Sequence, residues 1–270
     1  MKPVAFEYVQ TISVNQTLDV LADRVGAKVL AGGQSLVPLM NFRLNRPELV
    51  VDINNLADEL GQVTDKGSVL KIGALVRHHE LLTNPLIQDR VPVLAQAARQ
   101  IGHWAIRQRG TIGGSVVHAD PAAELPAVLV ALSATIVAQS RRGERRMGTE
   151  EFLMGYYTTV LDSDELVLAI EVPVPLSRLG FYEVVRRPGD FALAGAVAEI
   201  KGANAALTWF GIESRPRRLE IGLWPDRLDE QRELIRASLE KLELSPHDHE
   251  KRTLAVTVGL RALESIREAD

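Results

Sequence analysis

The most informative absence from this sequence of 270 residues is cysteine, which does not occur at all. Without cysteine the chain forms no disulfide, has no thiolate nucleophile and offers no cysteine ligand to zinc. It also holds no iron–sulfur cluster by its own residues, and it cannot attach a flavin through a thioether. Redox chemistry of cysteine sulfur is therefore excluded.

A long apolar run is also absent. No stretch approaches the ~18 consecutive apolar residues that a membrane-spanning helix needs. The segment Met1–Glu7 carries an acidic residue early and lacks the apolar stretch of a signal peptide. We therefore predict no transmembrane segment and a cytoplasmic location, either of the chain itself or of a partner to which it attaches.

Positive charge is in slight deficit. Lysine and arginine number 31 against 35 aspartates and glutamates, which gives a formal net charge of −4. The chain thus lacks the basic surplus of a general nucleic-acid-binding protein. Hydrophobic residues make up 46% and charged residues 24%, as in ordinary globular proteins, and the length predicts one or two domains.

A proline-punctuated break predicts where the chain divides. Pro173, Pro175 and Ser177 follow the last apolar strand of the first part, so we predict domains at 1–175 and 176–270. The first domain is predicted to split further into subdomains of about 1–56 and 57–175. The second reads as an α+β unit, with antiparallel strands and helices on one face.

Hydrophobic periodicity predicts the main elements. Predicted strands cover residues 28–31, 49–53, 69–74, 134–138, 181–186, 192–200 and 205–212, and predicted helices cover about 91–100, 121–132, 229–242 and 249–268. The run Arg141–Arg146 predicts a charged hairpin tip, either a solvated turn or a docking patch. The run His247–Glu250 is interpreted as a solvated linker.

Two segments share a pair of adjacent glycines, Ala31–Ser35 and Thr111–Ser115. Adjacent glycines let successive backbone N–H groups point the same way, and such nests bind anions. Two converging nests would suit a pyrophosphate, and the alternative is that both segments are ordinary loops. Ser35 is also a candidate cap for a short helix that follows it.

Common catalytic and nucleotide-binding motifs are missing. Neither glycine segment matches G-x-G-x-x-G or the P-loop, which argues against a nicotinamide Rossmann domain or a nucleotide triphosphatase. G-x-S-x-G and H-E-x-x-H are absent as well, so a hydrolase elbow and a zincin site have no support. The pair His78-His79 is interpreted as a polar surface pair, and no metal ligand is assigned.

The glycine segments extend into longer motifs that resemble a known family. They are AGGQSLVPLMNFR at 31–43, TIGGSVVHADPAAELP at 111–126 and, in the second domain, RRPGDFA at 186–192. In this order they resemble the FAD-binding medium subunit of molybdenum hydroxylases, the carbon monoxide dehydrogenase and xanthine dehydrogenase family. The resemblance covers the whole chain. It implies an α+β fold, with a two-subdomain FAD-binding domain of the vanillyl-alcohol-oxidase (PCMH) type followed by a smaller α+β domain of carbon monoxide dehydrogenase type.

The resemblance also implies which residues lie at the cofactor. The first pyrophosphate loop would run from Val29 to Leu36, and the second would follow Thr111; Asp120 and Glu124 would lie near the ribose or pyrophosphate, and Val167 and Tyr182 near the flavin ring. The implied cofactor-binding residues are Val29, Leu30, Ala31, Gly32, Gly33, Gln34, Ser35, Leu36, Ile101, Thr111, Gly113, Gly114, Ser115, Asp120, Glu124, Val167 and Tyr182.

Three of these positions depart from the family pattern. Ser115 stands where asparagine is usual and Glu124 where aspartate is usual, which changes the reach of individual contacts. Tyr182 stands where xanthine dehydrogenases have lysine. Loss of that cation weakens the case for a xanthine-dehydrogenase-like redox poise or for NAD as the acceptor.

The implied function is electron transfer within a complex. In this family a large subunit holds the molybdenum cofactor and oxidises the substrate, and a small subunit carries two [2Fe–2S] clusters. The flavin of the medium subunit, bound noncovalently, collects the electrons and passes them to an external acceptor, in an assembly expected to be a dimer of heterotrimers. No catalytic acid or base is needed on this chain, and none is assigned.

Two alternatives belong to other classes. The chain could be a self-contained FAD oxidase or dehydrogenase, or an interaction module that kept the fold and lost FAD. For the family function, the stretch Ile101–Arg109 is the predicted contact with the small subunit, because Trp104 and Ile106 interleave with Arg107 and Arg109. The alternative for Trp104 is a place in the core.

Overall fold

The computed structural model describes residues 1–244 and 248–268, so residue 247 of the predicted linker lies outside the described residues. The strands are β1 (Glu7–Gln10), β2 (Lys28–Leu30), β3 (Leu49–Asp52), β4 (Val63–Asp65), β5 (Val69–Gly73), β6 (Thr135–Ser140), β7 (Gly143–Gly148), β8 (Leu153–Gly155), β9 (Thr158–Thr159), β10 (Leu166–Pro173), β11 (Arg178–Val185), β12 (Ala192–Lys201), β13 (Asn204–Phe210) and β14 (Arg217–Leu223). The helices are α1 (Val14–Asp23), α2 (Leu36–Asn41), α3 (Ala57–Leu60), α4 (His78–Thr83), α5 (Pro85–Arg90), α6 (Pro92–Gln100), α7 (Trp104–Arg109), α8 (Ile112–His118), α9 (Glu124–Ala131), α10 (Thr149–Phe152), α11 (Leu228–Leu239) and α12 (His249–Glu268), with a 3-10 turn at Asn54–Leu56.

A three-stranded parallel sheet begins the fold, in the order β1-β3-β2. Its middle strand reads LVVD and is buried throughout, as expected for a parallel strand covered on both faces. Helix α1 is capped by Ser13, whose Oγ accepts a hydrogen bond from the Gln16 amide at 3.2 Å. The loop that leaves the carboxyl end of β2 is the first glycine segment, and ligands of α/β sheets bind at such ends.

A five-stranded antiparallel sheet follows, in the order β4-β5-β10-β6-β7. Helices α4 to α6, α8 and α9 share one apolar core with it. The charged run at 141–146 forms the turn and most of the second strand of the β6–β7 hairpin. Its arginines pair with carboxylates of the same chain; Arg141, for example, bridges Asp19 and Asp23 of α1.

The last sheet is an antiparallel meander, β11-β12-β13-β14, buried on both faces. On one face Phe181 stacks on Phe210, with ring centroids 5.8 Å apart, and joins the core of α6 and α9. On the other face α12 approaches closely: a Cβ on Gly180 would lie 2.1 Å from the Ala262 carbonyl oxygen. Small residues in β11 and β12 therefore admit the terminal helix.

Several element predictions need correction. The helix predicted from Pro121 begins at Glu124, because the chain first turns on Asp120, whose Oδ1 accepts from the Ala122 amide at 2.9 Å. A fourth meander strand, β14, was not predicted, since its sequence RRLEIGL is only half-buried at the sheet edge. His78 is buried and not part of a surface pair.

β11 begins three residues before its predicted start, α11 ends three residues before its predicted end, and the predicted linker is wrong at His249 and Glu250, which open α12. The other predicted elements hold within two residues, and α12 spans 249–268 as predicted. The division into domains at 1–175 and 176–270, with a finer split near residue 56, stays a prediction. Among residues 1–244 and 248–268, no helix has the length and apolar character to cross a bilayer.

Candidate functional site

The first glycine segment connects β2 to α2 and leaves its amides free. Within the described chain, the backbone N–H groups of residues 32–36 have no hydrogen-bond acceptor. Gly33 has a φ of +72°, a conformation that suits glycine. The Ser35 side chain makes no capping hydrogen bond to α2, so the expected cap is absent and its hydroxyl is available. Successive unpaired amides of this kind form an anion-binding cradle.

The second glycine segment is a helix start, so the prediction of a second nest is wrong. Thr111 caps α8, and its Oγ1 accepts from the Gly114 amide at 3.1 Å. The amides of Ile112 and Gly113 donate to the carbonyls of Val76 and Ala74, each at 3.0 Å. None of these groups is free for a ligand. The glycines serve close packing instead.

The two segments meet through their backbones. A Cβ on Gly32 would lie 2.2 Å from the carbonyl oxygen of Arg109 and 2.9 Å from the Cα of Gly110. No side chain fits there, since real Cβ atoms do not approach backbone atoms this closely. Gly113 is equally confined, because a Cβ on it would lie 2.7 Å from atoms of Ala74. The glycines thus allow the first loop to rest directly on the chain that enters α8.

Buried carboxylates follow α8. Glu124 opens α9 with 6% of its surface exposed. Burial, reinforced by the charges of Glu183 and Asp120, raises the pKa of Glu124 to about 8. Burial also raises the pKa of Glu183 to about 7, and its Oε2 has no hydrogen-bond partner among the described residues. Glu124 is therefore mainly protonated at neutral pH, and Glu183 becomes mainly protonated below it.

Strand alternation separates Tyr182 from this cluster. In β11, Phe181 belongs to the core of α6 and α9, whereas Gly180 and Val184 face α12. Tyr182 therefore lies on the α12 side and is exposed, and Glu183 lies on the side of α9. The contact of Tyr182 with the flavin stays a prediction. Sequence reasoning missed Glu183, although the alternation relative to an apolar Phe181 was a usable signal.

The remaining predicted residues lie in two places. Val167 is buried in β10, next to a bulge, and the neighbouring Leu168 carbonyl accepts from the Ala74 amide at 2.9 Å. Since the Ala74 carbonyl accepts from Gly113, β10 is tied to the start of α8. Ile101 is half-buried after α6, and its carbonyl accepts from Arg107 Nη1 at 2.8 Å.

In the stretch Ile101–Arg109, predicted to dock the small subunit, Trp104 is exposed and Arg107 is engaged within the chain. Trp104 is 65% exposed, so its alternative place in the core is wrong. Arg107 instead turns inward and donates to the carbonyls of Ile101 and Gly102 at 2.8 and 2.9 Å. Its guanidinium thereby satisfies the end of α6.

Comparisons with known proteins decide the family. Residues 4–175 match the family described as FAD binding domain in molybdopterin dehydrogenase. The chain belongs to this family.

The chain is similar to its relatives over most of their length. The chain is 47% identical over 201 residues to the 6-hydroxypseudooxynicotine dehydrogenase complex subunit alpha of Paenarthrobacter nicotinovorans, covering 73% of this chain and 68% of that one. It is 39% identical over 228 residues to the glyceraldehyde dehydrogenase medium chain of Sulfolobus acidocaldarius, covering 82% and 81%. Among solved structures, quinoline 2-oxidoreductase from Pseudomonas putida 86 has a chain that superposes with a TM-score of 0.93 at 32% identity, covering 100% and 99%. The family and fold class predicted from the sequence are confirmed.

Proposed function

We propose that this chain is the FAD-carrying medium subunit of a molybdenum hydroxylase complex. It takes electrons from [2Fe–2S] clusters of a partner subunit and passes them to an external acceptor. The observation that carries the proposal is the first glycine loop, whose amides at residues 32–36 are unpaired and whose backbone admits no side chain at Gly32. This cradle fits the pyrophosphate of FAD, the cofactor of the matched family.

Bound FAD supplies the storage of electron pairs, and the residues of this chain supply binding and orientation. The amides of residues 32–36 and the Ser35 hydroxyl would hold the pyrophosphate, with Val29, Leu30 and Ala31 leading into the loop. Thr111, Gly113, Gly114 and Ser115 would border it from α8. Gly114 suits that place because it is exposed and has no side chain.

The remaining cofactor contacts are proposed for the residues that the family motifs imply. Asp120 and Glu124 would lie toward the ribose or the pyrophosphate, and Val167 and Ile101 toward the rest of the cofactor. On the C-terminal side Tyr182 is retained, and Glu183 is added because its charge acts on Glu124. A protonated Glu124 or Glu183 can donate a hydrogen bond, which an ionised carboxylate cannot.

The complex supplies what this chain lacks. The molybdenum cofactor and the [2Fe–2S] clusters reside on a large and a small partner subunit, and we propose a cytoplasmic dimer of heterotrimers. Substrate oxidation belongs to the large subunit, so no catalytic residue is assigned here. The absence of cysteine supports noncovalent attachment of FAD, since no thioether can form.

Purification of the chain with and without its partners tests the proposal. We expect a yellow protein that releases all its flavin on acid precipitation and accepts electrons from an artificial donor. The isolated chain should not oxidise a substrate by itself. Substrate turnover without partners would favour a self-contained flavoenzyme, and a colourless chain that cannot be reconstituted would favour an interaction module.

A further inference from the structure

A continuous run of hydrogen bonds joins the two glycine segments through two side chains. Asn54 Nδ2 donates to the carbonyl of Ala31 at 2.9 Å, at the start of the first loop. Arg77 Nη2 donates to Asn54 Oδ1 at 2.7 Å, and Arg77 Nη1 donates to the carbonyl of Arg109. Ala31 and Arg109 stand next to the two glycines that touch, Gly32 and Gly110.

The orientation of the Asn54 side chain is fixed by the Asp52 carboxylate. Asp52, at the end of β3, accepts hydrogen bonds at Oδ1 from the Asn54 amide at 2.8 Å and from Asn54 Nδ2 at 2.6 Å. Its Oδ2 accepts from the Tyr8 hydroxyl at 2.5 Å. Because the carboxylate only accepts, it directs the NH2 group of Asn54 toward itself and Ala31 and the amide oxygen toward Arg77.

Arg77 is tied to the second segment by its backbone as well. Arg77 forms an isolated antiparallel bridge with Thr111, and the next amide, of His78, donates to the Gly110 carbonyl at 2.9 Å. The residue thus belongs to the second segment through its main chain and reaches the first through its side chain. A guanidinium has donors in a rigid planar fork, so it holds two acceptors at a set separation.

Fixing the Ala31 carbonyl also fixes the first free amide. The peptide unit between Ala31 and Gly32 is planar and trans, so its C=O and N–H point in opposite directions. Holding the carbonyl against Asn54 therefore directs the unpaired N–H of Gly32 away from Asn54. The orientation of the cradle depends on this contact.

We propose that Arg77 and Asn54 are positioning residues for FAD, which set the separation of the two cofactor-binding segments and the direction of the first loop's amides. The inference rests on the proposed function, since it requires FAD to bind at these segments. It assigns a role to two residues that need not touch the cofactor.

Titration of the full-length apo chain with FAD tests the inference. Arg77→Gln and Asn54→Ala should each raise the FAD dissociation constant by about tenfold or more, because the first removes a charged hydrogen-bond donor and the second a half-buried one. Arg77→Lys should recover only part of the loss, since an ammonium lacks the fork. Arg90→Gln is the matched control: like Arg77, Arg90 donates to one side-chain oxygen and one backbone carbonyl, here the Asp65 carboxylate and the Gly67 carbonyl, away from both glycine segments.

A double variant and a second ligand separate positioning from general stability. If the two residues act as one link, Asn54→Ala/Arg77→Gln should bind FAD about as weakly as the weaker single variant, and not with the product of the two losses. Competition by ADP, which carries the pyrophosphate, should weaken in parallel. The thermal midpoint of the apo variants should stay close to that of Arg90→Gln.

The outcomes are distinct. FAD and ADP affinities within about twofold of wild type in Asn54→Ala and Arg77→Gln would overturn the inference, as would independent, multiplying effects. If Arg77→Gln does not fold, Asn54→Ala and Arg77→Lys decide. A wild-type chain that binds no FAD at all would instead contradict the proposed function.

Discussion

The negative charge of Glu183, in β11, raises the pKa of Glu124, the first residue of α9. The pair lies where the C-terminal sheet packs on the helix that follows the second glycine segment. Burial is the larger cause of the upward shift for Glu124 and the cause for Glu183. A buried carboxyl that stays protonated makes stability depend on pH.

The first prediction is that the apo chain loses stability as pH rises from about 6.5 to about 8. The pKa of Glu124 is about 8 in the folded chain against an ordinary 4.5, so the folded state binds more protons in this interval. The free energy of unfolding should fall across it by on the order of 2 kcal/mol, whereas between pH 4.5 and 6.5 the opposite titration of His78 offsets that of Glu124. Urea denaturation at several pH values measures the fall.

Glu124→Gln should remove the part of that dependence that comes from Glu124, because glutamine keeps the shape of the side chain without its charge, and Glu183 should supply the remainder. Glu59→Gln, at an exposed position in α3, is the control and should leave the curve unchanged. An undiminished slope in Glu124→Gln would show that other groups cause the loss.

The second prediction concerns acid. His78 is buried, and its pKa is lowered to about 4 by burial. At His78 the unfolded chain therefore binds more protons between pH 6.5 and 4, and the contribution of His78 to stability should be lost as pH falls through this range, by on the order of 3 kcal/mol. His78→Gln should abolish this titration, and His79→Gln should not. Equal acid sensitivity in both variants would contradict the assignment.

The third prediction ranks the glycines. Gly32→Ala should abolish FAD binding, because its Cβ would lie 2.2 Å from the Arg109 carbonyl oxygen and force the two segments apart. Gly114→Ala should reduce binding less, since the nearest atom is the Thr111 hydroxyl at 2.9 Å and Gly114 is helical. Gly148→Ala, with nothing nearer than 3.8 Å, should bind FAD normally. Flavin absorbance per chain gives the order, and equal content in all three would refute it.

The fourth prediction concerns the partner. Trp104→Ala should lower the amount of small subunit that co-purifies with the chain by about tenfold or more. The melting temperature of the chain should not change, as expected for an exposed tryptophan in an interface. Leu176→Ala is the control, because Leu176 is 99% exposed and lies in another part of the chain. Arg107→Glu is unsuitable, since loss of its bonds to Ile101 and Gly102 would destabilise the end of α6. Unchanged yield with Trp104→Ala would remove this side chain from the interface.

The sequence predicts local features better than long-range contacts. Apolar spacing located α6 and α12, and the extended motifs at 31–43 and 111–126 predicted the family. The same Gly-Gly pair nevertheless adopts two conformations, because Thr111 caps a helix and Ser35 does not. The burial of His78 and Glu124 depends on elements distant along the chain, and hydrophobic patterns contain no signal for it.

The contact of Gly32 with Arg109 joins residues 77 positions apart, so no spacing rule predicts it. Arg77 was likewise unremarkable in the sequence. Its importance depends on the hydrogen bonds of Asn54 and on the path of the chain into α8.

The two-faced C-terminal sheet has a consequence for unfolding. Phe181 and Phe210 belong to the core of α6 and α9, whereas Trp209 and Ala196 of the same sheet belong to the core of α11 and α12. The same strands contribute side chains to both cores, so thermal disruption of the sheet in one core also disrupts the other. The two cores should therefore melt together in a single transition. Neither part is expected to survive proteolysis alone, and a nick near Pro175 should leave both pieces associated until the whole chain unfolds.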